Sequence, residues 1–189
     1  LSDYNNAHKL ELKKTAFAVY LKEIISSIQP TYQYLGIALK TDISPSLPAL
    51  FIDPVKLKQA LLNLLRNAAE AISSTDGKVK LCAFSSDQRV HIVITDNGCG
   101  IPEEELPVAF LRHSTSKLRD ASELSDIHTL GFRGEALSSI SAVSRVEMIT
   151  KPQTELMGVR YVVEGSQEIS MDKIGAPDGT TIMVYQLFF

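Results

Sequence analysis

The chain has 189 residues, 44% of them hydrophobic and 22% charged, which suits one domain with a sizeable core and is too short for several. A formal net charge of −3, with no basic cluster standing out against it, argues against strong intrinsic nucleic-acid binding. Two cysteines, Cys82 and Cys99, exclude a disulfide framework and imply a reducing, cytoplasmic setting, and no apolar run approaches the roughly 20 residues of a membrane span.

Residues 1–14 are polar and unpatterned and read as a tail, the remnant of a linker or of a preceding helix. The start Leu1-Ser2-Asp3-Tyr4 is neither a signal peptide nor a natural initiation, so an excised segment is expected. From Ala16 to Ile28, Phe17, Tyr20, Leu21, Ile24, Ile25 and Ile28 recur at helical spacing, and Pro30 is expected to stop the helix. Gly36 to Ile43 reads as a strand. A loop with Pro45 and Pro48 then leads to Asp53, a good N-cap, and Pro54, suited to the first helical position. That helix should run to about Ile72, burying Leu57, Leu61, Leu64, Leu65, Ala68 and Ile72, with Lys56, Gln59, Asn63, Asn67 and Glu70 in its polar stripe.

Asp76-Gly77 opens a hairpin in which Val79, Leu81 and Ala83, then Val90, Ile92 and Ile94, alternate with more polar neighbours around a turn at Ser85-Ser86-Asp87. Pro102 to Leu130 reads as a short helix and a polar connector, too weakly apolar for core and expected as a lid. A helix from Glu135 to about Ala142 follows, then strands at Arg145 to Thr150, Gly158 to Glu164 and Thr180 to Leu187. The order predicts an α+β fold, a two-layer α/β sandwich with a mixed, mostly antiparallel sheet covered on one face by helices, and residues 15–189 forming a single domain.

Two glycine clusters carry the chemistry. In Ile94-Thr95-Asp96-Asn97-Gly98-Cys99-Gly100-Ile101 a strand ends in a carboxylate, which can accept a hydrogen bond from the exocyclic amine of adenine, and Gly98 and Gly100 permit close approach of backbone and ligand. In isolation the same residues read as an Asx turn. In Gly131-Phe132-Arg133-Gly134-Glu135-Ala136-Leu137 a glycine-rich segment opens a helix, where the main-chain N–H groups of Gly134, Glu135, Ala136 and Leu137 can meet phosphate and Arg133 adds charge. Asn67, with Asn63 one turn before it, is a candidate oxygen ligand for magnesium on what is otherwise a solvated helix face. Thr115, Ser116 and Lys117 are candidate phosphate contacts that read equally as solvated loop. Thr180 either backs Asp96, directly or through water, or simply enters a strand as a β-branched residue.

Together these segments resemble the GHKL superfamily of ATP-binding domains, the Bergerat fold shared by gyrase-type enzymes, a heat-shock chaperone, sensor histidine kinases and MutL mismatch-repair proteins. Within residues 15–102, Phe51-Ile52-Asp53-Pro54 and Leu61 to Ala71 resemble the catalytic ATP-binding domain of histidine kinases. Within residues 107–189, Arg112 to Lys117, Leu130 to Leu137 and Gln186-Leu187-Phe188-Phe189 resemble the MutL ATPase domain, so a chimera joined around the shared Asp96 motif is implied. The resemblance implies ATP or ADP and Mg2+ as cofactors and, in a parent kinase, a histidine-containing dimerisation domain as partner. In MutL-like proteins a glutamate one turn before the magnesium-binding asparagine is the general base; that position is Asn63 here, and an amide takes no proton at ordinary pH. The expectation is therefore nucleotide binding with little or no hydrolysis. Phosphorylation of a histidine in trans, slow MutL-like ATP hydrolysis and a folded hybrid without nucleotide binding are the alternatives.

Overall fold

A computed structural model describes residues 10–111 and 133–188, with the side chains of residues 133–135 outside that description. The apolar spacing from Phe17 onward winds Phe17–Leu35 into helix α1, burying Phe17, Tyr20, Leu21, Ile24 and Ile28. Pro30 does not end it as expected. Pro30 removes the donor to the Ser26 carbonyl, but both residues are exposed and water can satisfy that oxygen. Beyond the proline, fully buried Tyr32 donates its hydroxyl to the Leu65 carbonyl at 2.7 Å and holds the last turns down until Gly36, at φ 68°, caps them.

The expected tail is also partly structured. Lys13–Ala16 forms strand β1, antiparallel to β3 (Ala49–Ile52) in a two-stranded sheet. Helix α2 (Pro54–Glu70) starts as its sequence dictates: the Asp53 side chain accepts the Lys56 N–H, Pro54 stands at the first helical position, and Leu57, Leu61, Leu64, Leu65 and Ala68 are buried.

The main sheet has seven strands in the order β2 (Ala38–Ile43), β4 (Lys78–Ser86), β5 (Arg89–Asp96), β9 (Gly179–Tyr185), β6 (Arg145–Lys151), β7 (Gly158–Glu164) and β8 (Gln167–Ile174). Among the described residues only β2 and β4 pair in parallel; every other neighbouring pair is antiparallel. The β4–β5 hairpin turns at Asp87-Gln88, both at positive φ (51° and 60°), rather than at Ser85-Ser86-Asp87, because a two-residue turn of this hand matches the strand twist. Strand β8 has no counterpart among the expected elements; it is an exposed edge strand whose residues carry no buried alternation. Short helix α3 (Leu106–Ala109) follows a 3-10 turn, and α4 (Arg133–Ser141) begins two residues before the expected Glu135.

One face of the sheet carries Val79, Leu81, Ile92, Ile94, Val146, Met148, Ile182 and Val184, which pack with the buried faces of α1, α2 and α4 in one continuous core. The result is an α+β two-layer sandwich. Its topology matters for function because β9 lies between β5 and β6, bringing Asp96, Thr180 and Thr150 side by side from three distant parts of the chain.

Candidate nucleotide site

Asp96 ends β5 with only 7% of its surface exposed, directly opposite Thr180. Its Oδ1 accepts the Gly98 N–H at 2.9 Å, which folds the glycine loop back over the strand end. The two glycines of that loop are required by protein packing. A side chain at Gly98 would come within 2.6 Å of the Ala71 carbonyl oxygen, and Gly100, at φ +73°, would carry one within 2.5 Å of the Lys151 carbonyl group. The loop is thus wedged between the end of α2 and the end of β6.

Asn67 faces the same spot from α2. It is 8% exposed, and among the described residues neither its amide oxygen nor its amide nitrogen has a hydrogen-bond partner. A buried, unsatisfied amide costs about 1–3 kcal/mol, and its position on the pocket wall leaves both atoms open to a water or a ligand. A hard cation such as magnesium fits the oxygen of this group. The charge of Asp96 is felt nearby: burial first, and then Asp96, push the Tyr32 hydroxyl well above the usual tyrosine range, so it stays a neutral donor to Leu65.

Asn67, Asp96, Thr180, Ile101, Leu137 and Met148 are among the residues lining a pocket of about 30 Å³. A much larger cavity of about 700 Å³ runs toward the start of α2, lined by Lys56, Gln59, Asn63, Phe110, Ala136 and Ser139 among others. Asn63 lines the larger cavity and Asn67 the smaller pocket, one helical turn apart on α2. Of the residues expected at a site, Asn67, Asp96, Ile101, Leu137 and Thr180 line the smaller pocket, Gly98 and Gly100 lie in the loop that follows Asp96, and Asn63 and Ala136 line the larger cavity instead. Thr115, Ser116, Lys117, Gly131 and Phe132 lie outside the described residues, and Arg133, Gly134 and Glu135 are described only as part of helix α4, without their side chains or burial.

One residue went unsuspected. Thr150 on β6 is 1% exposed and sits at the centre of the wall: its Oγ1 accepts the Ile101 N–H at 2.9 Å, donates to the Gly179 carbonyl at 3.2 Å and lies 3.0 Å from Thr180 Oγ1. A lone threonine in a strand gives no local signal; only the β6–β9 register places Thr150 opposite Thr180.

Residues 52–185 match the family model described as Histidine kinase-, DNA gyrase B-, and HSP90-like ATPase. The chain belongs to this ATPase family. Within the family, the MutL DNA mismatch repair protein of Agathobacter rectalis is 64% identical over 98 residues, 52% of this chain and 15% of that protein. MutL of Methanoculleus marisnigri is 46% identical over 130 residues, 67% of this chain and 22% of that protein, so the ATPase domain described here spans only a fraction of these relatives' length. Among solved structures, the N-terminal domain of a DNA repair protein aligns with 27% identity and a TM-score of 0.51 over 68% of this chain and 36% of that one. The catalytic domain of histidine kinase ThkA aligns over 95% of this chain and 99% of its own with a TM-score of 0.60 at 16% identity, a likeness of fold. No described helix is long and apolar enough to cross a membrane.

Proposed function

We propose that this ATPase-family domain binds ATP or ADP with magnesium, in the manner of MutL, and hydrolyses ATP little. The carrying observation is the buried Asn67 amide, without a partner among the described residues and facing the same pocket as Asp96. In this reading Asp96 accepts the adenine amine, with Thr180 beside it. Gly98, Gly100 and Ile101 shape the base pocket, and Asn67 Oδ1 holds magnesium with Asn63 nearby. Thr115, Ser116, Lys117 and the stretch Gly131, Phe132, Arg133, Gly134, Glu135, Ala136, Leu137 take the phosphates. Bound magnesium supplies positive charge against the phosphates. Asn63, an amide facing the larger cavity, has no proton-accepting capacity at neutral pH, which is why turnover is expected to be slow.

We further propose, from the sequence motifs alone, a kinase-like half (residues 15–102) joined to a MutL-like half (residues 107–189); the MutL matches, over 98 and 130 residues, reach beyond the second of these. DNA mismatch repair, as the relatives' name states it, is the proposed setting of the second half's origin.

Titration calorimetry with ADP, with and without magnesium, tests the reading on the parent chain and Asn67→Leu. Magnesium should tighten ADP binding in the parent and not in Asn67→Leu. Equal affinity with and without magnesium in the parent would overturn the role given to Asn67. A second reading, a folded hybrid that binds no nucleotide, is favoured by the pocket around Asp96: about 30 Å³ has room for one or two waters and not for a purine ring.

A further inference from the structure

The Asp96-Asn97-Gly98 turn holds two polar side chains that serve different neighbours. The Asp96 carboxylate receives the Gly98 N–H and lines the smaller pocket. The Asn97 amide is bonded instead to the connection between α2 and β4: Nδ2 donates to the Asp76 carbonyl at 2.8 Å, and Oδ1 accepts the Lys78 N–H at 2.7 Å. One side chain thus grips both peptides that flank Gly77, whose own packing would bring a side chain there within 2.6 Å of Ile72. The start of the same connection is fastened to the same loop. The Asn67 carbonyl accepts the Ala71 N–H at 3.0 Å, and the Ala71 carbonyl accepts the Cys99 N–H at 2.9 Å. Two main-chain bonds therefore lead from the residue proposed to hold magnesium to the loop that follows Asp96. Of these ties, the two made by the Asn97 amide are the ones that a side-chain substitution removes.

We infer that Asn97 is a positioning residue that holds the end of α2 at a fixed spacing from the end of β5, so that one nucleotide meets Asp96 and Asn67 at once. The inference rests on the nucleotide-binding reading and deepens it by naming what sets the distance between its two ends. A ligand that spans two contacts gains the second at high effective concentration only while their spacing is kept. Sheet pairing keeps the Asp96 backbone in place whatever happens to Asn97, because Val79 and Thr180 flank it in register. What loosens without the clamp is the connection 71–78, and with it the end of α2 that carries Asn67. Asn97 touches neither adenine nor magnesium. It acts through the placement of the two residues that do.

The test measures what magnesium adds to ADP binding, as the ratio of the ADP dissociation constant without magnesium to that with it, in the parent and in Asn97→Ala. The ratio should shrink about fivefold in Asn97→Ala, the scale of one hydrogen bond. The Lys78 amide, its acceptor gone, should exchange faster with deuterated water. A merely structural role for Asn97 weakens ADP alike with and without magnesium and leaves the ratio where it was, and that result would overturn the inference. Asn97→Asp is the second variant should Asn97→Ala not fold. It keeps the size of the side chain and the bond from the Lys78 N–H, and it sets an oxygen against the Asp76 carbonyl in place of a donor. It should shrink the ratio too, and an unmoved ratio in folded Asn97→Asp contradicts the clamp. A folded parent chain that binds no ADP, or binds it equally with and without magnesium, overturns the binding reading itself and this inference with it. A magnesium gain that Asn97→Ala leaves intact overturns the inference alone.

Discussion

The Asp53 carboxylate joins α2 to the backbone of Glu11, 42 residues earlier: Oδ2 accepts the Glu11 N–H at 3.0 Å while Oδ1 accepts the Lys56 N–H at 3.0 Å. One buried side chain thus caps the site-bearing helix and anchors the segment entering β1. Burial pushes this carboxyl up, but the N–H groups of Glu11 and Lys56, the Lys56 charge and the Val55 N–H outweigh it, and the group sits below its ordinary value of 3.8. Its contribution is therefore complete above the ordinary value and is lost as pH falls through the lowered one. Asp53→Ala should cost about 1–2 kcal/mol in urea unfolding at pH 7. Asp53→Asn keeps an acceptor and should flatten the acid limb of stability below about pH 4; an unchanged acid limb would show that Asp53 does not titrate with folding.

Tyr32→Phe removes the hydroxyl that holds the end of α1 to Leu65. A loss of about 1 kcal/mol is expected, with faster amide exchange confined to residues past Pro30. Uniform exchange along α1 would mean that the proline, and not Tyr32, sets the stability of that end.

Gly100→Ala should destabilise the chain by about 2 kcal/mol or more, since φ is +73° and the new methyl meets the Lys151 carbonyl. Denaturant unfolding measures it, and a cost below about 0.5 kcal/mol would mean that the loop slides freely off β6.

Much of this was legible beforehand, for reasons that differ by element. Helix α2 announces itself through Asp53, Pro54 and the spacing of Leu57, Leu61, Leu64 and Leu65, all local signals that the structure retains. The hairpin ending in Asp96 was equally clear, because its alternation reflects one buried face. Strands β1, β3 and β8 were not, since they are largely exposed and owe their existence to partners rather than to pattern. Pro30 misled because its effect depends on whether the orphaned carbonyl reaches water. At the candidate site, Asp96 and Asn67 stand out by their neighbours in sequence, whereas Thr150 comes beside them only through strand order.

Asn63→Glu places a carboxylate where the chain has an amide, on the lining of the larger cavity. Phosphate release from Mg-ATP should rise by about 10²- to 10⁴-fold over the parent. No rise, with nucleotide binding intact, would mean that position 63 is not aligned with the attacking water.

The most direct test is calorimetric titration of ADP and a non-hydrolysable ATP, with magnesium, into the parent and Asp96→Asn side by side. Asp96→Asn can still accept the Gly98 N–H through its amide oxygen, while the carboxylate proposed to hold the adenine amine is gone. The account predicts saturable binding by the parent, weakened about 10- to 100-fold or abolished in the variant. Equal affinities in the two, or no heat of binding from a folded parent, would contradict it.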